Sequence, residues 1–488
     1  MTRDESRTHV EIAAETSPSR TDAERPDDTF RILILGDFGG GAAERRPVGQ
    51  RAVQRIDRDG IDAAIDAIAP ALLLSIDPDA RAELIDFREL DDFHADRLLE
   101  HVPALARLRQ LRVAVESRLA TPARADAPAS PEQAGSPTAG SLLDRILENQ
   151  PALPAGAPPE PTPRGGDDLS DFVRRAVRPH LASEPDPPQR ARVALVDAAL
   201  AAALRALLHH PEFQALEAVW RAVDFFARRC DAGDSTAIGL LDLTRAELSL
   251  AAGGGGSTLR TALGDALSGG DGAPRWSLVI AAYQFEPADI GLLAHVAAVA
   301  AEMGVPWLAA ADPRFAGTGT FVDGGDMDAW DASPAAGWND LRHAPDSRYL
   351  CLALPRFLVR APYGAENPIE SMTFEEFPTA PPTHDSLLWA NPAFLCALVA
   401  STPVERGGTA PSQGTVGGMP LHPVTTGGNT EALPCAEVVL SQRAAMHLLG
   451  RGLTPLMSQR NGDAVRIARL QSIADPPVPL PIRPATGS

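Results

Sequence analysis

Four short runs in this chain are almost wholly apolar: residues 30–35 (FRILIL), 277–283 (SLVIAAY), 305–311 (VPWLAAA) and 349–354 (YLCLAL). A strand with one wet face alternates polar and apolar residues, whereas a strand that is apolar throughout must be covered on both faces. Between two of these runs, residues 287–303 read as a helix that ends at Gly304, a natural C-terminal cap. Strand–helix–strand order with such strands argues for a parallel sheet clothed by helices, so the expected fold class is α/β, with mixed α+β elements around it.

Further elements follow from periodicity. Residues 57–68 form a helix, with Ile61, Ile65 and Ile68 on one face and Pro70 as its stop. Residues 71–76 and 84–87 read as strands. Asp91 and Asp92 put negative charge at the start of a helix whose stripe runs from Leu98 to Leu111, bent at Pro103. Residues 193–208 form another helix. A new one starts at His209-His210-Pro211-Glu212, because proline suits the first helical position and glutamate the first turn. It carries Phe213, Leu216, Trp220 and Val223 at spacings of three and four. Residues 238–243, 437–440 and 453–457 read as strands, and 441–449 as a helix capped by Gly450.

Composition divides the chain. Residues 1–28 are polar and are expected to form a disordered arm. Residues 120–167 are rich in Ala, Pro, Ser and Gly and read as a linker. Within it, 141–148 (SLLDRILE) has helical periodicity and a serine N-cap. It is either a docking element or a helix without a partner. The expected organisation is an arm at 1–28, a small domain at 29–119, the linker at 120–167, a large domain at 168–475 and a proline-rich, unpacked tail at 476–488.

The charge of −20 repels phosphate backbones, which argues against nucleic acid as a partner. All basic residues are arginines, since no lysine occurs. Cys230, Cys351, Cys396 and Cys435 lie far apart with no CxxC pair, so they read as reduced core thiols rather than a zinc site or disulfide framework. The N-terminus has no apolar h-region, and no apolar run reaches the roughly 18–20 residues that span a bilayer. The expected location is the cytoplasm, without direct membrane insertion.

Each pattern that hints at chemistry is incomplete. Gly36-Asp37-Phe38-Gly39-Gly40-Gly41 follows a strand, but no lysine and no G-x-x-x-x-G-K-[ST] accompany it, so it reads as a structural turn. Its Asp-Phe-Gly has no HRD loop to make it a kinase motif. Asp91, Asp92 and His94, like His209 and His210, are adjacent ligands at helix starts that do not face one point. His384-Asp385-Ser386 has triad residue types without a nucleophile elbow and reads as a loop. Glu375-Glu376 reads as a loop clamp or a solvated pair, because neighbours in sequence seldom flank a sugar. No catalytic, cofactor-binding or metal-ligating residue is assigned, no cofactor is expected, and the chain reads as a non-enzyme.

Two stretches resemble known families. Residues 30–115 resemble the small sheath subunit of type VI secretion (TssB). The resemblance rests on 30–39 (FRILILGDFG), Ile56-Asp57-Arg58-Asp59 and 86–112 (DFRELDDFHADRLLEHVPALARLRQLR). Residues 169–473 resemble the large subunit (TssC), through 207–221 (LLHHPEFQALEAVWR), 276–285, 349–362 with Tyr363-Gly364, 388–394 (LWANPAF) and 437–472. The resemblance implies a small α+β sheath domain tethered to a larger α/β domain with a mostly parallel, helix-covered sheet. It also implies a structural role in a contractile injection apparatus. The implied partners are other copies or other sheath subunits, an inner-tube protein, the baseplate and an AAA+ unfoldase that recycles the sheath. The segment 141–148 is then expected to dock on another copy or on that unfoldase. The family's large subunit continues beyond the segment matched by 437–472, while this chain ends at Ser488. The alternative is therefore a non-polymerising sheath-binding adaptor, cap or assembly regulator. The interface and structural positions expected are Asp92, Phe93, Phe213, Leu216, Glu217, Trp220 and Arg221. Glu217 and Arg221 form an i, i+4 pair that, on an exposed helix, contributes about 0.3–0.5 kcal/mol.

Overall fold

The computed structural model of the chain describes residues 29–76, 81–117, 187–230, 236–253, 263, 275–321, 330–331, 333–379, 382–404, 408–426 and 429–482. The arm at 1–28, the linker at 120–167 and its segment 141–148 lie outside the described residues.

The chain opens with strand β1 (Phe30–Gly36), β2 (Gln54–Ile56), helix α1 (Ile61–Ile68), and the ribbon β3 (Ala71–Leu74) and β4 (Glu83–Asp86). Helices α2 (Ala95–His101), α3 (Pro103–Ser117), α4 (Pro187–Leu208) and α5 (Pro211–Arg229) come next. An alternating stretch follows: β5 (Thr236–Asp242), α6 (Arg245–Gly253), β6 (Leu278–Phe285), α7 (Ile290–Met303), β7 (Trp307–Ala311), α8 (Trp338–His343) and β8 (Leu350–Leu354). The remainder comprises β9 (Phe357–Arg360), β10 (Leu388–Ala390), α9 (Ala393–Ala400), β11 (Gly414–Val416), β12 (Pro423–Thr426), β13 (Asn429–Ala432), α10 (Gln442–Gly450), β14 (Leu453–Ser458) and β15 (Val465–Ile467).

Nine of these strands form one sheet in the order β11-β15-β14-β8-β7-β6-β1-β5-β2. The six strands from β14 to β5 run parallel, and β2, β15 and β11 are antiparallel additions at the two edges. The N-terminal strand β1 lies inside this sheet: Ile34 is opposite Leu240 of β5 on one side and Ile280 of β6 on the other. The segments 29–119 and 168–475 thus meet in a single sheet rather than across two separate ones.

Both faces of the sheet are covered, which is why its central strands β6, β7 and β8 are almost wholly apolar. Ile32 and Ile34 face a core built with Phe87, Phe93, Phe213, Trp220, Phe226 and Phe394. Leu33 and Leu35 face the opposite core, with Leu248, Leu293, Val296, Trp338 and Leu448. Period-two alternation along β1 therefore feeds two cores at once.

The local chemistry explains most boundaries and some differences from the sequence reading. Pro103 does more than bend the expected helix: α2 ends at His101 with Val102 as its cap, and Pro103 opens α3, because proline lacks the amide an interior position needs. The segment 437–440 is not a strand; the Glu437 side chain instead binds Arg356, and Ala436 makes an isolated bridge to Phe357. The proline-rich tail is packed as far as Ile482, with Leu480 and Ile482 against the core and the Val478 carbonyl accepting from the Ser472 amide at 3.0 Å. All four cysteines are buried, and none of them is in a disulfide. Among the described residues, no helix is long and apolar enough to cross a membrane.

Because β1 has a hydrogen-bonded neighbour on each side, it should hold the N-terminal segment without a covalent link. Residues 1–150 and 151–488, co-expressed as separate chains, are expected to co-purify through size exclusion. Ile34→Ala in the intact chain should cost about 2–5 kcal/mol in denaturant unfolding.

Candidate functional site: the buried junction between the two segments

Helix α5 is the hub of the junction. Its start is fixed by His210, whose Nδ1 accepts from the Glu212 amide at 3.3 Å, with Pro211 in the first helical position. One face of α5 meets the N-terminal segment. The Trp220 indole donates to the Phe38 carbonyl at 3.0 Å, and the two rings lie 5.3 Å apart. The Phe213 ring lies 6.0 Å from Phe93 and 6.1 Å from Phe87, which are themselves stacked at 4.3 Å. Leu216 is buried beside them. Half-buried Asp92 does not enter this cluster but shapes it. Its carboxylate accepts from the Arg88 and Glu89 amides at 2.6 and 3.1 Å, closing a capping box that sets Phe93 inward.

A polar face of the same helix carries a buried ion cluster. Glu217 is fully buried, which corrects the reading of an exposed i, i+4 pair. Its Oε1 accepts from Arg221 Nε at 2.6 Å and from Arg360 Nε at 2.9 Å. Arg360 also donates to Glu376 at 3.0 Å, and Glu376 meets His209 at 3.1 Å and the Tyr363 amide at 2.8 Å. The Arg360 guanidinium sits 4.5 Å from the centre of the Tyr363 ring. Burial alone would raise the Glu376 pKa and lower that of Arg360. The charge of Arg360, with hydrogen bonds from His209, Arg360 and the Tyr363 amide, outweighs burial and holds Glu376 at about 2. Glu217 and Glu376 likewise outweigh burial and raise Arg360. Glu376 is thus neither a solvated carboxylate nor half of a catalytic pair with Glu375: its acceptors are spent on internal donors.

The cluster reaches the N-terminal segment through Tyr363, whose hydroxyl accepts from the Ala95 amide at 3.3 Å and whose ring lies 5.3 Å from His94, edge to face. Next to it, the Asp96 carboxylate accepts from the Glu370 and Ser371 amides at 3.0 and 2.8 Å. Burial pushes the Asp96 pKa up, but these hydrogen bonds prevail and lower it. Sequence reasoning assigned no role to Arg360, Tyr363 or Asp96. The only signal was their place inside the quoted stretches, for nothing local marks which distant carboxylates an arginine will meet.

The glycine-rich turn after β1 is filled from within. The amides of Phe38 and Gly39, which a phosphate loop would aim at a ligand, donate to Asp242 Oδ1 at 2.9 and 3.0 Å. Arg45 Nε binds the other oxygen at 2.8 Å. Gly40 has φ +73, and a Cβ there would stand 2.8 Å from the Ala71 carbonyl, so only glycine fits. Burial, with the Asp242 charge, raises the Asp37 pKa against the opposing Arg45. The triad-like His384-Asp385-Ser386 forms a single 3-10 turn in which Ser386 Oγ donates to the Thr383 carbonyl at 2.8 Å, while the His384 ring faces Asp385 and Glu437. Its serine and histidine do not form a nucleophile–base pair. Among the described residues no three His, Cys, Asp or Glu side chains are placed to hold a metal ion.

What the geometry defines is a two-segment α/β protein whose segments share one sheet and meet at a buried ion cluster. Comparison with known proteins agrees. Residues 190–474 match the family model of the EvpB-type tail sheath N-terminal domain (VipB), and residues 2–128 match that of the type VI secretion system protein VipA. The chain belongs to the type VI secretion tail sheath family, and it carries the small-subunit and large-subunit elements in one polypeptide. It is similar to the type VI secretion system sheath protein TssC1 of Pseudomonas aeruginosa PAO1, 30% identical over 311 residues. That match covers 58% of this chain and 61% of the relative, so the chain spans less than two thirds of the relative's length.

Breaking a buried ion pair from one side leaves the other charge stranded, so Arg360→Met should cost about 3–5 kcal/mol in urea unfolding. Glu376 and Glu437 are both held at about 2 against an ordinary 4.5, Glu437 by His384 and Arg356 against its own burial. Their contribution is complete above pH 4.5 and is lost as pH falls toward 2. Stability measured from pH 6 down to pH 2.5 should fall steeply below 4.5, and less steeply in Glu376→Gln.

Proposed function

We propose that this chain is a structural sheath component of a type VI secretion apparatus, acting in the cytoplasm, in which one polypeptide supplies both sheath elements. Its copies assemble around an inner tube, anchor on a baseplate and drive protein translocation by contraction, and an AAA+ unfoldase recycles them. The observation that carries the reading is β1: a strand from the VipA-matching residues completes the middle of the sheet built by the VipB-matching residues. A protein whose small element is integral to the large one is a single rigid brick, with its stoichiometry set at one to one. Phe93, Phe213, Leu216, Glu217, Trp220 and Arg221, with Asp92 shaping the turn, serve in this reading as interface positions between the two elements. Bricks that repeat through an interface that does not close on itself make a filament. Contraction is then a switch between two packings of the same rigid units, which needs interiors that resist deformation.

Negative-stain electron microscopy of the purified chain, alone and with its inner-tube protein, tests this. Hollow filaments or rings are expected. Monomers or small oligomers in both conditions would overturn the self-assembling reading and leave a sheath-binding adaptor, which would co-sediment with intact sheath without polymerising.

A further inference from the structure

Helices α3 and α4 pack against each other and leave apolar surface uncovered. Of the fifteen residues of α3 only Leu105 is fully buried, and Val113 is 57% exposed. Leu108, Leu111 and Val115 stay half-buried. On α4, Leu195 is 50% exposed. It lies in a row of exposed residues, Ala191, Leu195, Ala198, Ala202 and Ala206, at the spacing of one helix face. About four turns of α4 thus present to water a row without a charge, a pattern that belongs to a covered helix.

We propose that residues 141–148 (SLLDRILE) dock on this face of their own chain, laying Leu142, Leu143, Ile146 and Leu147 over Val113, Leu195 and the alanines beside it. Those four residues recur at the spacing of one helix face. The connection brings the segment to the face. Arg112 Nε meets Asp197 Oδ1 at 2.6 Å, five residues before α3 ends at Ser117 and ten after α4 begins at Pro187. Both ends therefore lie within about 15 Å of that pair. Residues 118–186 run between them, and Ser141 follows Ser117 by 24 positions. A tether of that length, treated as a coil, spans about 27 Å. The row on α4 is about 22 Å long. The segment is thus held near the face at an effective concentration of about 1 mM.

A second stretch of the same connection, 169–178 (LSDFVRRAVR), also has apolar residues three and four apart. Charge decides between the two. Arg190 and Arg192 are exposed at the start of α4. The segment 141–148 brings Asp144 and Glu148 with one arginine, whereas 169–178 brings Arg174, Arg175 and Arg178 with one aspartate. Opposite charges favour the first contact, and like charges oppose the second. The docking is within one chain, so it stands whether or not copies assemble, and it commits the segment to its own chain rather than to another copy or an unfoldase.

Hydrogen exchange by mass spectrometry on the full-length chain, native and with Leu143→Asp and Ile146→Asp together, tests this. With a dissociation constant of about 0.1 mM against the 1 mM supplied by the tether, docking protects the face about tenfold. Peptides covering 108–117 and 190–200 should therefore exchange about tenfold faster in the variant, while those of β6 and β7 are unchanged. Equal exchange at the face in both chains would overturn the docking. So would the same loss of protection in Phe172→Asp with Val173→Asp but not in the first variant, which would give the face to 169–178. A second measurement does not depend on disrupting the contact. Val113→Cys and Leu147→Cys in one chain, treated with a short bis-maleimide, should cross-link within that chain. Cross-links in an equal mixture of the two single variants, and none within the double variant, would mean that another copy covers the face, and would overturn docking in cis.

Discussion

Strand β1 has a parallel neighbour on each side, and its side chains alternate between two cores. That arrangement is the constraint from which the rest follows. Remove β1, and β5 and β6 lose their common partner, each core loses two large aliphatic side chains, and the turn carrying Phe38 no longer reaches Trp220. Hydrophobic burial is the dominant favourable term in such a structure and is shared between the two segments, so their union is a folding event more than a docking event.

The ion cluster around Arg360 adds selectivity where burial is indifferent to partner. A buried arginine between two buried carboxylates is costly unless every donor and acceptor is placed. Here Glu217 comes from α5, Arg360 from β9 and Glu376 from a loop, with Tyr363 passing the contact to Ala95 of the N-terminal segment. The cluster closes only when α5, β9 and the 361–376 loop are in register, and Asp96 then caps the two amides beside it. The same logic empties the apparent sites of chemistry. Asp242 occupies the amides that would bind a phosphate, and Glu376 is saturated by donors of its own chain.

Local readings held where the physics is local. The apolar runs at 30–35, 277–283, 305–311 and 349–354 fall on β1, β6, β7 and β8, the α5 start is where His210-Pro211-Glu212 places it, and Gly304 ends α7 with φ +65. They failed where a distant partner decides. The segment 437–440 has the composition of a strand, but the Glu437 side chain binds Arg356 and His384. Short strands such as β2, β11 and β15 are three residues each and carry too little periodicity to read.

By itself, then, the sequence determined the α/β class, the stops of α1 and α7, the start of α5, and the stretches that tie it to sheath proteins, because propensity, capping and two-faced burial are written in residues close along the chain. Only the tertiary structure decided that β1 inserts between β5 and β6, that Glu217 is buried rather than exposed, and that Arg360 and Asp242 close the junction. Those outcomes depend on pairings between residues from 143 to more than 200 positions apart, and no local pattern in a chain encodes which of many distant partners a buried charge or strand edge will meet.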